Sequence, residues 1–205
     1  CWKRIMTGSD EIMVYNNAIS ASAPNHVSFK GTNTSTTILV SPYVTDFVNK
    51  RVRFKLHDNK RANFLKFSFT VGVLSNPTDA TTFIPIKTFT NEEINPIGLF
   101  DLGSFWQQYI VDFNAVSANN HYIGFKIGNA SANFGEQSIL LDDIHFEEIP
   151  QCKEPTNIQI INFDYDKVTI SWDSDVSVPS WEIEYGPTGF VAGTGTVTSA
   201  NTTPF

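Results

Sequence analysis

Phe64-Leu65-Lys66-Phe67-Ser68-Phe69-Thr70-Val71-Gly72-Val73-Leu74 carries the plainest strand pattern in the chain. Phe67, Phe69, Val71 and Val73 share one parity, and Lys66, Ser68, Thr70 and Gly72 share the other. Apolar residues recurring every second position mark a half-buried strand, because successive side chains leave a strand on opposite faces. The same period recurs on either side of this stretch. Val27–Gly31, Thr36–Val40, Lys50–Leu56, Thr82–Thr90, Tyr109–Val116, Tyr122–Ile127 and Ser138–Ile149 are rich in Val, Ile, Phe, Thr or Tyr. Each is bounded by Gly, Pro, Asn or Asp, the residues that end strands. No window carries a helical stripe, and Asn91–Phe100 makes at most a short turn. Strands with turn-rich connections across residues 1–150 predict an all-β fold, a two-sheet jelly-roll β-sandwich.

A boundary is expected at Ile149-Pro150-Gln151-Cys152-Lys153-Glu154-Pro155, where two prolines interrupt strand pairing. Beyond it, Asn157–Ile161, Lys167–Trp172 and Ser180–Tyr185 read as strands. In the last, Trp181, Ile183 and Tyr185 alternate with Glu182 and Glu184. Gly193 and Gly195 then suit a turn or a bulge. The expected domains are therefore 1–150 and 151–205.

Composition excludes several classes. Hydrophobic residues make up 41% of the chain and charged residues 17%, the reverse of a disordered segment. The net charge of −7 disfavours a nucleic-acid ligand. No run of 18 apolar residues exists to make a membrane span. Basic residues do concentrate locally: Arg51, Arg53 and Lys55 alternate with Val52, Phe54 and Leu56. Such a stripe is either a site for an anionic glycan or the wet face of a strand.

Cys1 and Cys152 are too few for a cysteine zinc site. Near the two ends of the first apolar segment, they are placed to close it by a disulfide. A loop of roughly 150 residues makes that bridge worth about 4–5 kcal/mol in the loop-entropy model. Two unpaired thiols, or a lipidated Cys1, are the alternatives.

Two resemblances follow from ordered motifs. Pro155-Thr156-Asn157-Ile158, Val168-Thr169-Ile170-Ser171-Trp172 and Trp181-Glu182-Ile183-Glu184-Tyr185-Gly186 resemble the first three strands of a fibronectin type III domain. About 50 residues stand where such a domain needs 90–100, so a partial module, continued in a longer chain or completed by another, is expected. The first 150 residues resemble the jelly-roll modules of MAM-like and cleaved-adhesin type. The pieces that carry this are Cys1-Trp2, Ile38-Leu39-Val40-Ser41-Pro42, Val71-Gly72-Val73-Leu74-Ser75-Asn76-Pro77, Thr82-Phe83-Ile84-Pro85-Ile86 and Leu141-Asp142-Asp143-Ile144. The resemblance implies a large extracellular protein of a bacterial cell surface, exported by type IX secretion. It also implies an upstream acidic residue in the first strand, so an N-terminal truncation is expected.

The site residues come last. Asp142 shares a parity with Leu140, Ile144 and Phe146, which aims a carboxylate at the apolar side. A buried carboxylate requires hydrogen bonds, a partner charge or a metal. Jelly rolls of the resembled type hold a structural calcium near a matching Asp, which makes Asp142, then Asp143, the expected ligands. Donation from loop amides, or an even parity that twists outward near the strand end, is the alternative. Trp106 and Tyr109 are candidates for stacking a carbohydrate, with core packing as the competing use. His26, His57, His121 and His145 are dispersed, no nucleophile elbow or His-Glu-x-x-His is present, and Glu92-Glu93 is an isolated acidic pair. An enzyme is not expected. The function read from the chain is adhesion or display, by a module that binds a surface glycan or protein ligand beside other modules of the same protein. An accessory carbohydrate-binding module of a secreted hydrolase and an assembly subunit of a surface filament are the rivals.

Overall fold

The computed structural model describes residues 1–8, 11–16, 19–31, 36–58, 68–94, 106–128, 137–151, 155–174 and 179–205. They form two compact units, Cys1–Ile149 and Pro150–Phe205.

The first unit is a jelly-roll β-sandwich of two five-stranded antiparallel sheets. One sheet has the order β1 (Lys3–Met6), β4 (Thr37–Val40), β9 (Tyr122–Ile127), β6 (Ser68–Leu74) and β7 (Ile84–Thr90). The other has β2 (Glu11–Asn16), β3 (Asn25–Gly31), β10 (Gln137–Glu148), β5 (Lys50–Asp58) and β8 (Gln107–Asp112). A 3₁₀ turn, Ala80–Thr82, and one four-residue helix, α1 (Asn91–Ile94), interrupt the strands.

Phenylalanine fills the space between the sheets. Phe29, Phe54, Phe69 and Phe125 are fully buried, and Phe29 meets Phe69 edge-on at 5.6 Å and 90°. Phe54 meets Phe125 at 5.5 Å and 78°, the edge-to-face geometry that aromatic quadrupoles favour. Phe69, Val71 and Val73 lie in this core together, as the period-two pattern of β6 requires. Each fully buried ring stabilises the unit by about 1.5–3 kcal/mol.

A smaller cluster, Ile38, Val40 and Leu74, lies on the opposite face of the first sheet with Phe83 packed against it. Gly72 and Gly124 face each other across β6 and β9, and their missing side chains leave room for the Phe83 ring. A Cβ on Gly124 would stand 2.8 Å from Phe83 Cε2 and 2.7 Å from Leu74 Cδ1. The turn before β7 is thereby laid flat on the sheet.

In β10 the expected parity fails at one point. Ile139 and Leu141 face the core, and Asp142 lies opposite Lys55, whose side chain is on the outer face. A bulge between Asp142 and His145 inserts an unpaired step, with Asp143 in left-handed backbone at φ 50°. Past it Ile144 packs against the core, so the inward parity has changed from odd to even. Asp142 therefore shares the outer side of the sheet with Leu140, which is itself buried there, and does not point into the cluster between the sheets.

In the second unit β11 (Thr156–Phe163) pairs with β12 (Val168–Asp173), and β13 (Trp181–Tyr185) with β14 (Thr196–Ala200). Trp172 is buried and meets Trp181 at 5.2 Å and 77°. Glu184 accepts the amides of Gly193 at 2.9 Å and Gly195 at 2.5 Å, which ties the glycine-rich turn back to β13. Phe205 exchanges both backbone hydrogen bonds with Ile170, at 2.9 and 3.0 Å, on the free side of β12. Ile158, Ile160, Tyr185 and Val197 remain more than half exposed.

Candidate functional site

β1 and β2 are edge strands of opposite sheets, and the sandwich opens between them. Both are short and mostly exposed, with one inward apolar residue, Ile12, in β2. The Arg4 guanidinium bridges the two sheets by donating to the Ile12 carbonyl at 2.8 Å. The resulting groove has a volume of about 480 Å³. Ile12, Leu39 and Leu141 form an apolar floor, and Trp2, 45% exposed, stands in the wall. Asn25, His26, Asp142 and Asp143 bring polar groups to the same space.

The two aspartates are held differently because the bulge turns them apart. Asp142 Oδ2 accepts from the Ser22 amide at 3.0 Å, and Oδ1 from the Asp143 amide at 2.8 Å. Asp143 Oδ2 lies 2.8 Å from the Lys55 ammonium. The hydrogen bond from Lys55, then that from Ser22, keeps the Asp143 carboxyl below the usual carboxylate range. His26 shares a hydrogen bond of 3.0 Å with the Ser20 hydroxyl. Burial lowers the His26 pKa from its ordinary value, against the opposing pull of Asp142. The imidazole is thus neutral at neutral pH.

These residues do not fit a calcium ion as they stand. Among the described residues no group of three or more His, Cys, Asp or Glu side chains comes together. A cation at Asp142 and Asp143 would have to displace a backbone amide and an ammonium. The arrangement is the loop-amide alternative: a polar network that pins residues 20–24 onto β10.

The basic stripe of β5 is answered by β10. Glu147 accepts from Arg51 Nε at 2.8 Å and approaches Arg53 Nη2 at 3.2 Å; Lys50 pairs with Glu148 at 2.8 Å. With Lys55 on Asp143, each of these cations has a carboxylate partner. The stripe is an ion-paired sheet face, not an open anion site.

Trp106 and Tyr109 do not form a stacking surface together. The Trp106 indole donates to the Ile19 carbonyl at 2.6 Å, and its ring packs 5.2 Å from His57. Tyr109 packs on Phe54 and Phe89, and its hydroxyl reaches the carbonyls of Glu93 and Ile94 at 3.2 and 3.3 Å. Burial raises the phenol far above its ordinary range. Tyr109 serves the core. Cys1 is an exposed free thiol, while Cys152 lies outside the described residues.

Sequence reasoning missed β1 and β2, and with them the groove, although it singled out Asp142 and Asp143 of the lining and quoted Trp2 in a motif. It also missed Tyr43, exposed and stacked on His121 at 4.6 Å. Tyr43 follows a proline in a connection, where periodicity carries no signal.

No family model matches the chain, and no curated protein does. Solved structures do. The fold is similar to that of the K1 cleaved adhesin domain of Lys-gingipain from Porphyromonas gingivalis W83, with a TM-score of 0.54 and 18% identity over 72% of this chain and 90% of that one. The K2 cleaved adhesin domain of Lys-gingipain gives a TM-score of 0.53 and 22% identity, over 71% and 88%. A carbohydrate-binding module of the β-sandwich superfamily gives 0.50 and 11%, over 72% of this chain and 57% of that one. At these identities the likeness is one of fold.

Proposed function

We propose that the first unit is a non-catalytic adhesion module of an extracellular bacterial surface protein, and that its groove binds a neutral glycan. The groove itself carries this reading: an apolar floor, an exposed indole and convergent polar groups, in a volume that suits a small ligand. Sharing a fold with adhesin domains and a carbohydrate-binding module supports it. Neutral sugars are favoured over anionic ones because Arg4 is engaged by Ile12 and the β5 cations by β10.

A glycosidase would need one carboxyl held protonated as a general acid. The carboxylates that shift among the described residues shift the other way; Glu93, for one, is lowered by the Thr90 amide and Lys87. An array of neutral glycans displayed to the intact chain tests the reading. Selective binding that is lost in Trp2→Ala supports it; silence across the array removes it.

The second unit is read as part of a fibronectin type III domain, on its two hairpins, its buried Trp172 and the pairing of Phe205 with β12. Its exposed Ile158, Ile160 and Val197 favour a second role, assembly with a neighbouring module or chain. Light scattering tests this: concentration-dependent association that Ile160→Lys abolishes supports it, and a monomer at all concentrations refutes self-assembly.

A further inference from the structure

Along β3 the side chains alternate between the two faces of its sheet. Phe29 lies in the core between the sheets and Val27 packs against it, while His26 meets Tyr15 and Trp106 on the other face. The pairing of β2 with β3 runs without a shift from Glu11 opposite Lys30 to Asn16 opposite Asn25. Asn25 therefore keeps the parity of Val27 and Phe29, and its side chain leaves the strand on the inter-sheet face. It is exposed, at the first residue of β3, and it lines the groove. Trp2 comes to the same groove from the other sheet, with its ring 6.2 Å from the buried Phe125 ring.

The charged and imidazole groups of the lining are already committed. Arg4 donates to the Ile12 carbonyl, Asp142 accepts the Ser22 and Asp143 amides, Asp143 pairs with Lys55, and His26 shares its hydrogen bond with Ser20. The Asn25 carboxamide makes no hydrogen bond among the described residues. It is also the only carboxamide among the described lining residues, with an NH2 donor and a carbonyl acceptor side by side in one plane. Two hydroxyls on neighbouring carbons of a sugar ring present the complementary pair. One donates to the carbonyl and the other accepts from the amide N–H, and either orientation of the amide serves.

We propose that Asn25 is the specificity-determining residue of the groove, reading two free hydroxyls on neighbouring carbons of the sugar that packs against Trp2. The proposal rests on the glycan reading of the groove and adds the feature of the sugar that is selected, an unsubstituted diol. A site that hydrogen-bonds a hydroxyl rejects the analogue lacking it, whereas an apolar contact barely separates the two.

The test pairs a change in the protein with a change in the sugar. The neutral disaccharide bound best on the array is compared with its monodeoxy analogues by calorimetry, using the intact chain. With the wild type, two analogues lacking hydroxyls on neighbouring carbons bind about fivefold more weakly, the loss of one hydrogen bond each. Asn25→Leu keeps the bulk of the side chain and, at an exposed position, leaves the unfolding midpoint unchanged. It weakens the parent disaccharide by about fivefold or more and binds those two analogues no worse than the parent, the coupling expected of groups in contact. Trp2→Ala weakens parent and analogues alike. Wild-type affinity in Asn25→Leu, or deoxy penalties that persist in it, overturns the role of Asn25 and leaves the groove at Trp2 standing. Penalties that fall on no pair of neighbouring carbons overturn the diol. Absence of glycan binding overturns both the groove reading and this one.

Discussion

Glu147→Gln removes one negative charge and almost no volume from the point where two arginines converge. Arg51 has a side chain only 5% exposed, and Glu147 meets its Nε at 2.8 Å while approaching Arg53 Nη2 at 3.2 Å. Glu147 is 29% exposed, so water screens the cluster in part. A hydrogen bond to a charged group is worth about 1.5–3 kcal/mol, and the screened pair of contacts is expected to cost about 2 kcal/mol when the charge goes. For a unit of this size that lowers the midpoint by about 4–8 °C in scanning calorimetry. The pH dependence gives a second reading. Arg53, first, and then Arg51 hold the Glu147 carboxyl below its ordinary 4.5. A depressed folded-state pKa contributes stability that is complete above the ordinary value and lost as pH falls through the depressed one. The gap between wild type and variant is therefore constant near neutrality and closes in acid. Glu148→Gln is the control, since Glu148 pairs with Lys50 but is 77% exposed, and no measurable shift is expected. Equal shifts in the two variants, or a gap that widens in acid, would refute the reasoning.

Gly124→Ala is expected to cost about 1–3 kcal/mol, because the new methyl meets Leu74 and the Phe83 ring; denaturant unfolding measures it, and a loss under a few tenths would mean that Phe83 moves freely. His26, its pKa lowered by burial, contributes stability that is complete above 6.5 and lost as pH falls through its lower folded value. His26→Asn should flatten the pH-stability curve just below 6.5, and an unchanged slope counts against a buried neutral imidazole. Calcium added to chelated protein is expected to leave the midpoint unmoved, because Ser22 and Lys55 already occupy Asp142 and Asp143. A rise of several degrees that Asp142→Ala abolishes would restore the metal.

Strands buried on one face were legible in the sequence, because each wrote its environment as a period of two. Lys50–Leu56 and Tyr122–Ile127 are of this kind, and both run through the core. β1 and β2 wrote no such pattern. An edge strand with a single inward residue buries too little to enforce alternation, and the groove lies between these two strands. The face of Asp142 was misread for a different reason: parity can be extrapolated along a strand only until a bulge, and two adjacent aspartates do not announce one. Basic residues on β5 were visible, but their partners on β10 lie about ninety positions away. Tyr43 owes its position to hydrogen bonds between connections, which leave no trace in periodicity.

The bulge in β10 gives that strand two reading frames. Ile139 and Leu141 are read in one, Ile144 and Phe146 in the other, and Asp143 is the added letter between them. Replacing Asp143 changes a word and leaves the frame intact. Deleting it merges the two frames: Ile139, Leu141, Ile144 and Phe146 then share one parity, and all four face the core along a regular strand. The added residue thus supplies the kink and the ion pair with Lys55, not the facing of the apolar residues, and a one-residue deletion there should straighten β10 and leave the unit folded.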